Sequence, residues 1–189
     1  MGSHDRATDA LFRAELLSST VYSLNVPLPG SVGSLARDLG IRLTDATVRR
    51  RGEHTLVCKR LGRGDAATYH ELEARAREAL AGEPPFEVRV AGVDCFTEAA
   101  TGASPVVYLA VESPDLEALH QRLCAVFDPV DGIEGDDYVP HVTVARGGSV
   151  ERAADLRERP FEPIEWTVPE LEFWDAERSQ SVSTVALSG

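Results

Sequence analysis

Tyr138-Val139-Pro140-His141-Val142-Thr143-Val144-Ala145-Arg146, stopped by Gly147-Gly148, alternates apolar and polar side chains as a strand does and sets a histidine two residues before a threonine. Two residues apart on a strand means one face, so a ring nitrogen and a hydroxyl can address the same bound group. An earlier stretch, His54-Thr55-Leu56-Val57-Cys58-Lys59-Arg60-Leu61, echoes it and is stopped by Gly62-Arg63-Gly64-Asp65. Each lies between an earlier strand and helix and a later helix. That order runs over about residues 21 to 81 and again over 106 to 158, so the chain reads as two related lobes.

The remaining elements fit that plan. Val21 to Val26 alternates as a strand, and Val32, Leu35 and Leu39 then fall on one helix face, with Gly40 placed as a C-terminal cap. Tyr69, Leu72, Ala76 and Leu80 make the buried face of a second helix, ended by Gly82 and Pro84-Pro85. Phe86 to Phe96 and Val106 to Val111 read as a hairpin. Ser113-Pro114-Asp115 is the clearest helix start, with an N-cap serine, proline at the first helical position and an acid in the first turn. Its apolar face is Leu116, Leu119, Leu123 and Phe127. A short helix spans Ser149 to Glu158, and strands follow at Ile164 to Val168, Leu171 to Trp174 and Val182 to Leu187, the last two pairing across a turn at 175–180. Interleaved helices and strands with hairpins predict an α+β fold with antiparallel or mixed sheets. Residues 1–20, weakly helical from Ala10 to Leu17, are assigned to an N-terminal extension and 21–189 to a single bilobal domain.

The 189 residues, 43% hydrophobic and 26% charged, have an ordinary globular composition. No apolar run is long enough to span a bilayer and no secretory leader is evident, so a cytoplasmic location is expected. Nineteen basic against 31 acidic residues give a net charge of −12, which excludes broad binding to a phosphate backbone and requires any polyanion site to be local. Lys59 is the only lysine. Adaptation to high salt and a GC-rich genome explain that skew equally well. Cys58, Cys95 and Cys124 are odd in number and widely spaced, which suits small buried side chains rather than disulfides or a thiolate metal site.

The two histidine-bearing strands, with Tyr22-Ser23-Leu24-Asn25-Val26-Pro27-Leu28-Pro29 opening the first lobe, resemble the two-histidine (2H) phosphoesterase superfamily, which includes 2'-5' RNA ligases and RNA 2',3'-cyclic phosphodiesterases. The resemblance spans about Val21 to Leu187. It implies a bilobal pseudo-twofold fold in which two sheets face a central groove with helices outside, one His-x-Thr from each lobe, no metal and no cofactor. His141 and Thr143 match the second motif fully. His54 matches the first histidine, but Leu56 stands where the threonine belongs and Thr55 is displaced by one.

On a regular strand Arg60 shares the face of His54; a β-bulge between 54 and 55 brings Thr55 and Lys59 there instead, and the bulge is favoured because it restores the hydroxyl. The expected reaction is hydrolysis of a 2',3'-cyclic phosphate at an RNA end or on a small nucleotide. One histidine is the base toward water and the other the acid toward the leaving ribose oxygen. Thr143, Thr55 and a cation hold the non-bridging oxygens. Lys59, Arg60 and Arg146 are the candidate phosphate ligands, with Arg146 assigned to the face of His141 and Thr143. Arg49-Arg50-Arg51 is either a solvated face or a patch guiding an RNA end. Tyr22, Tyr108 and Trp174 are candidate base-stacking residues, or core. Reversible 2'-5' ligation stays open, as does a rival reading in which the same fold binds a nucleotide or RNA end without turnover. A monomer with no obligate protein partner is expected. His70 and His120 are read as solvated helix residues, and His4 lies in the extension.

Overall fold

A computed structural model describes residues 20–189, so His4 and the helical stretch expected at 10–17 lie outside the described residues. The strands are β1 (Thr20–Val26), β2 (Thr47–Val48), β3 (Leu56–Gly64), β4 (Phe86–Phe96), β5 (Val106–Glu112), β6 (His141–Arg146), β7 (Ile164–Val168), β8 (Glu170–Asp175) and β9 (Gln180–Ala186). The helices are α1 (Gly30–Gly40), α2 (Ala66–Ala79), α3 (Pro114–Cys124) and α4 (Val150–Arg157). The fold is α+β, and the expected β4–β5 and β8–β9 hairpins both form.

The strands run in the order β7-β4-β5-β6-β3-β1-β8-β9, with β2 added on β6. All pairings are antiparallel. The sheets of the two halves, β7-β4-β5-β6 and β3-β1-β8-β9, meet in one hydrogen-bonded path, joined at the centre by a single register pair, Leu56 opposite Val142. That pair is the pivot of the internal symmetry: β5 corresponds to β1 and β6 to β3. The helices exchange across it. The first helix of the first half, α1, packs on β6, and its counterpart α3 packs on β3.

The core lies between the helices and one sheet face. Leu24, Leu56, Leu109, Leu116, Leu119, Leu123, Leu171 and Phe173 are fully buried there. Helix starts follow the sequence signals. Asp65, Ser113 and Ser149 accept hydrogen bonds from the backbone N–H groups of Thr68, Leu116 and Arg152, meeting donors the first turn leaves unpaired. Gly40 differs from its expected role. It stays helical, and a Cβ there would run into the Val48 side chain, so the missing side chain is what lets β2 approach α1.

Two bulges set which side chains face away from the core. In β3, Lys59 opposes Leu24 while Val57 opposes Asn25, leaving Cys58 as the extra residue. In β6, Ala145 opposes Val107 while Thr143 opposes Tyr108, leaving Val144 extra. Residues opposite each other share a face, so the first bulge turns Lys59 onto the core side with Leu24 and Arg60 onto the other. The bulge lies at Cys58 and not between 54 and 55 as expected, and it separates Lys59 from Thr55 instead of joining them. In β6, strict alternation from His141 would turn residue 146 away. The bulge at Val144 restores Arg146 to the face of His141 and Thr143.

Candidate functional site

Because both bulges lie two residues past the central pair, the symmetry matches residues one for one across Leu56 and Val142. Thr55 corresponds to His141, Val57 to Thr143 and Arg60 to Arg146. All six line one cavity of about 240 Å³. Arg49, Phe96, Glu98, Thr101, Asp137 and Tyr138 complete much of its wall. The cavity spans the seam between the two halves, where each half contributes one short strand segment.

His141 follows the turn at Pro140. Its Nδ1–H donates to the Val139 carbonyl at 2.7 Å, which fixes the tautomer and leaves the Nε2 lone pair as the one open to chemistry. Phe96 and Tyr108 meet the ring edge-on, with centroids at 5.3 and 5.2 Å. Burial lowers the His141 pKa from its ordinary value, the bond to Val139 opposes this, and Arg60 and Arg146 push it down further. The imidazole is therefore neutral near pH 7. Arg146 donates from Nη1 to the Thr101 carbonyl at 2.8 Å, tying the loop after β4 to the cavity wall. Its own pKa is lowered by desolvation and by the charge of Arg49. Two guanidinium groups that repel each other at one cavity wall are a place where an anion is stabilised.

His54 does not line the cavity. It precedes β3, its Nδ1–H donates to the Thr143 carbonyl at 3.2 Å, and its Nε2 is enclosed with no hydrogen-bond partner among the described residues. The structure brings Thr55, Arg60, His141, Thr143 and Arg146 together and leaves His54 off the cavity, bonded to the backbone of Thr143. Lys59 is also outside. Its side chain is fully buried, and its ammonium donates to Glu134 Oε2 at 2.6 Å and to the carbonyls of Arg60 and Asp128 at 2.8 and 3.2 Å. The cation that accompanies the first motif is Arg60.

Tyr22 faces the helix side instead of the groove, 7% exposed, with its ring 4.9 Å from that of Tyr69. Trp174 sits on β8 opposite Ser23, on the far side of β1 from the cavity, and does not line it. Tyr108 stacks on Phe96 at 4.3 Å, and Phe96, not Tyr108, reaches the cavity. Phe96 was missed because it reads as the end of a strand. Tyr138 was missed as a wall residue because it reads as a strand start, whereas it follows a short 3-10 turn at Gly135–Asp137 and donates to the Val57 carbonyl at 2.7 Å.

His120, expected in solvent, is fully buried. It stacks on Tyr138 at 3.7 Å, donates from Nδ1 to the Cys58 carbonyl and accepts from the Gly135 N–H at Nε2. The signal was present, since 116, 119, 120 and 123 are the spacing of one helix face. Among the described residues no group of three or more His, Cys, Asp or Glu side chains could hold a metal ion. No helix among them is long and apolar enough to cross a membrane.

The sequence profile of the 2'-5' RNA ligase superfamily matches residues 58–180. Solved structures with the same fold include E. coli LigT complexed with NADP+, at TM-score 0.61 and 16% identity over 91% of this chain and 99% of that one. TT0787 of Thermus thermophilus gives 0.58 and 17% over 89% and 98%. Usb1 of Kluyveromyces marxianus gives 0.52 and 11% over 91% and 98%. LigT has also been solved with ATP, with 3'-AMP and with phosphate. No curated protein matches the sequence.

Proposed function

The chain belongs to the 2'-5' RNA ligase superfamily, and on that premise we propose that its cavity takes a 2',3'-cyclic phosphate, at an RNA end or on a small nucleotide, and hydrolyses it with His141 as the single general base at the reacting atoms. The observation that carries this reading is the matched set on one cavity, Thr55 and Arg60 from one half against His141, Thr143 and Arg146 from the other. Four groups that donate to or attract anionic oxygens, Thr55, Arg60, Thr143 and Arg146, converge there beside His141 in a chain whose net charge is −12. The nucleotides and phosphate bound by LigT support the same ligand class.

Neutral His141 takes the proton of an attacking water at Nε2, the O–P bond forms, and the bond to one ribose oxygen breaks. Arg60, Arg146 and the Thr143 hydroxyl hold the non-bridging oxygens as charge builds on them. The leaving oxygen takes its proton from solvent, since Thr55 stands where a second histidine would deliver it. This replaces the two-histidine scheme. General acid catalysis contributes roughly 100- to 10,000-fold, so slow turnover is the expected consequence. The same substitution favours a second reading, a nucleotide or RNA-end binding module without turnover. A protein acting in the direction of 2'-5' ligation would use the same groups in reverse.

The test is incubation with nucleoside 2',3'-cyclic phosphates and a cyclic-phosphate-ended RNA, with EDTA present. Slow opening of the ring that is lost in His141→Ala and retained in His54→Ala supports hydrolysis by this scheme. Binding without any product selects the module, and no binding of either ligand overturns both.

A further inference from the structure

Glu134 lies in the acidic stretch between α3 and β6, is 4% exposed, and is surrounded by donors. Its two oxygens divide the work. Oε2 accepts from Lys59 Nζ at 2.6 Å and from the Val130 N–H at 3.0 Å. Oε1 accepts from the Arg60 N–H at 2.8 Å and from Arg60 Nη1 at 3.3 Å. One carboxylate therefore grips the backbone and the guanidinium of the same arginine, at the point where the bulge turns Arg60 toward the cavity. Burial would raise the Glu134 pKa, but the bonds from Lys59, Arg60 and Val130 hold it below the ordinary carboxylate value. The group is ionised at neutral pH.

We infer that Glu134 is the positioning residue for Arg60, fixing the guanidinium at the phosphate end of the cavity while Lys59 neutralises the carboxylate from the core side. The inference rests on the ligand class proposed above. An unanchored arginine on a strand would lose several rotatable bonds on engaging a phosphate, and the Oε1 contact removes much of that cost in advance. The charges make the arrangement workable. Glu134 alone would cancel Arg60, but buried Lys59 cancels Glu134, so the trio presents one net positive charge and its solvent-reaching member is Arg60, whose side chain is 34% exposed. The same carboxylate ties Val130 to β3, and Gly132, Ile133 and Asp137 of that stretch are cavity wall. One anchor thus sets both the cation and the rim beside it.

The sign of one substitution separates positioning from simple electrostatics. Glu134→Gln keeps the shape and removes a negative charge close to the cavity, so charge alone predicts tighter binding of an anion. Positioning predicts weaker binding. The probe is adenosine 2',3'-cyclic monophosphate titrated by calorimetry into wild type, Glu134→Gln, Arg60→Ala and the double variant. The expected result is about tenfold weaker binding in Glu134→Gln, with no further loss when the same change is made in Arg60→Ala. Equal loss in both backgrounds, unchanged affinity or tighter binding would overturn the inference. Lys59→Met/Glu134→Leu guards against a variant that does not fold, because an apolar pair of similar size replaces the buried ions. Weak binding by that folded protein supports the inference, and wild-type affinity overturns it. A wild-type protein that binds no cyclic nucleotide would instead overturn the functional reading on which it rests.

Discussion

Thr55 occupies in one half of the sheet the position that His141 occupies in the other. The relation follows from the Leu56–Val142 pair and the equal distance of the two bulges from it. It makes the cavity chemically lopsided although its framework is symmetric. Thr55→His, alone or with Val57→Thr, is therefore expected to raise the initial rate of 2',3'-cyclic nucleotide hydrolysis by roughly 100-fold, the lower end of what a placed acid supplies. Rates unchanged in both variants, with the probe still bound, would mean that position 55 does not reach the leaving oxygen.

Protonation of His141 sets the second expectation. The base must be neutral, and its pKa lies below the ordinary histidine value because of burial and the two arginines. The value of kcat/KM is then constant near neutrality and falls only as the pH drops through the lowered pKa of the free protein. A profile of kcat/KM against pH should place its acid limb below about 6.5. Arg146→Gln removes one of the charges that depress it and should move the limb upward. A limb above the ordinary value in the wild type would rule out His141 as the base.

Lys59 gives a prediction about stability. Removing a buried ion's partner strands the other charge, so Lys59→Met is expected to lower the unfolding free energy by about 3–5 kcal/mol. Denaturant unfolding at neutral pH measures it. Lys59→Met/Glu134→Leu should recover most of that loss. A loss under about 1 kcal/mol in the single variant would show that Glu134 is not held in the core as a charge.

Most of the architecture was legible from periodicity. Apolar spacing located α1, α2 and α3, and the capping serine Ser113 fixed where α3 begins. The repeated order of elements announced the two halves. What alternation could not supply was its own interruptions. Neither Cys58 nor Val144 looks unlike a regular strand residue, so the faces of Lys59, Arg60 and Arg146 could be settled only by the register. The site suffered from the same gap. His54 has the residue type of the motif's first position, yet the central pair at Leu56 sets the count one residue later and brings Thr55 to the cavity. His141, Thr143 and Arg146 line the cavity together, and Arg60 joins them there on the face of Thr55, not that of His54, because of the bulge at Cys58. The bulge at Cys58 turned Lys59 into the core, and Tyr22 went there because it shares the parity of Leu24, which faces the helices.

The paired bulges give the cavity an arithmetic of one, three and six: the residue of the first position, the third and the sixth all face inward, on both strands. An uninterrupted strand offers one, three and five, a closer and straighter row. The added residue carries each arginine beyond the plane of the strand end, so that the two cations stand at opposite extremities of the seam while the smaller groups crowd its middle. A bound anion is thereby approached from two directions, as by callipers. Shortening either strand by the single residue Cys58 or Val144 would close one jaw and turn its cation to the wrong side of the sheet, with no change in composition at the cavity itself.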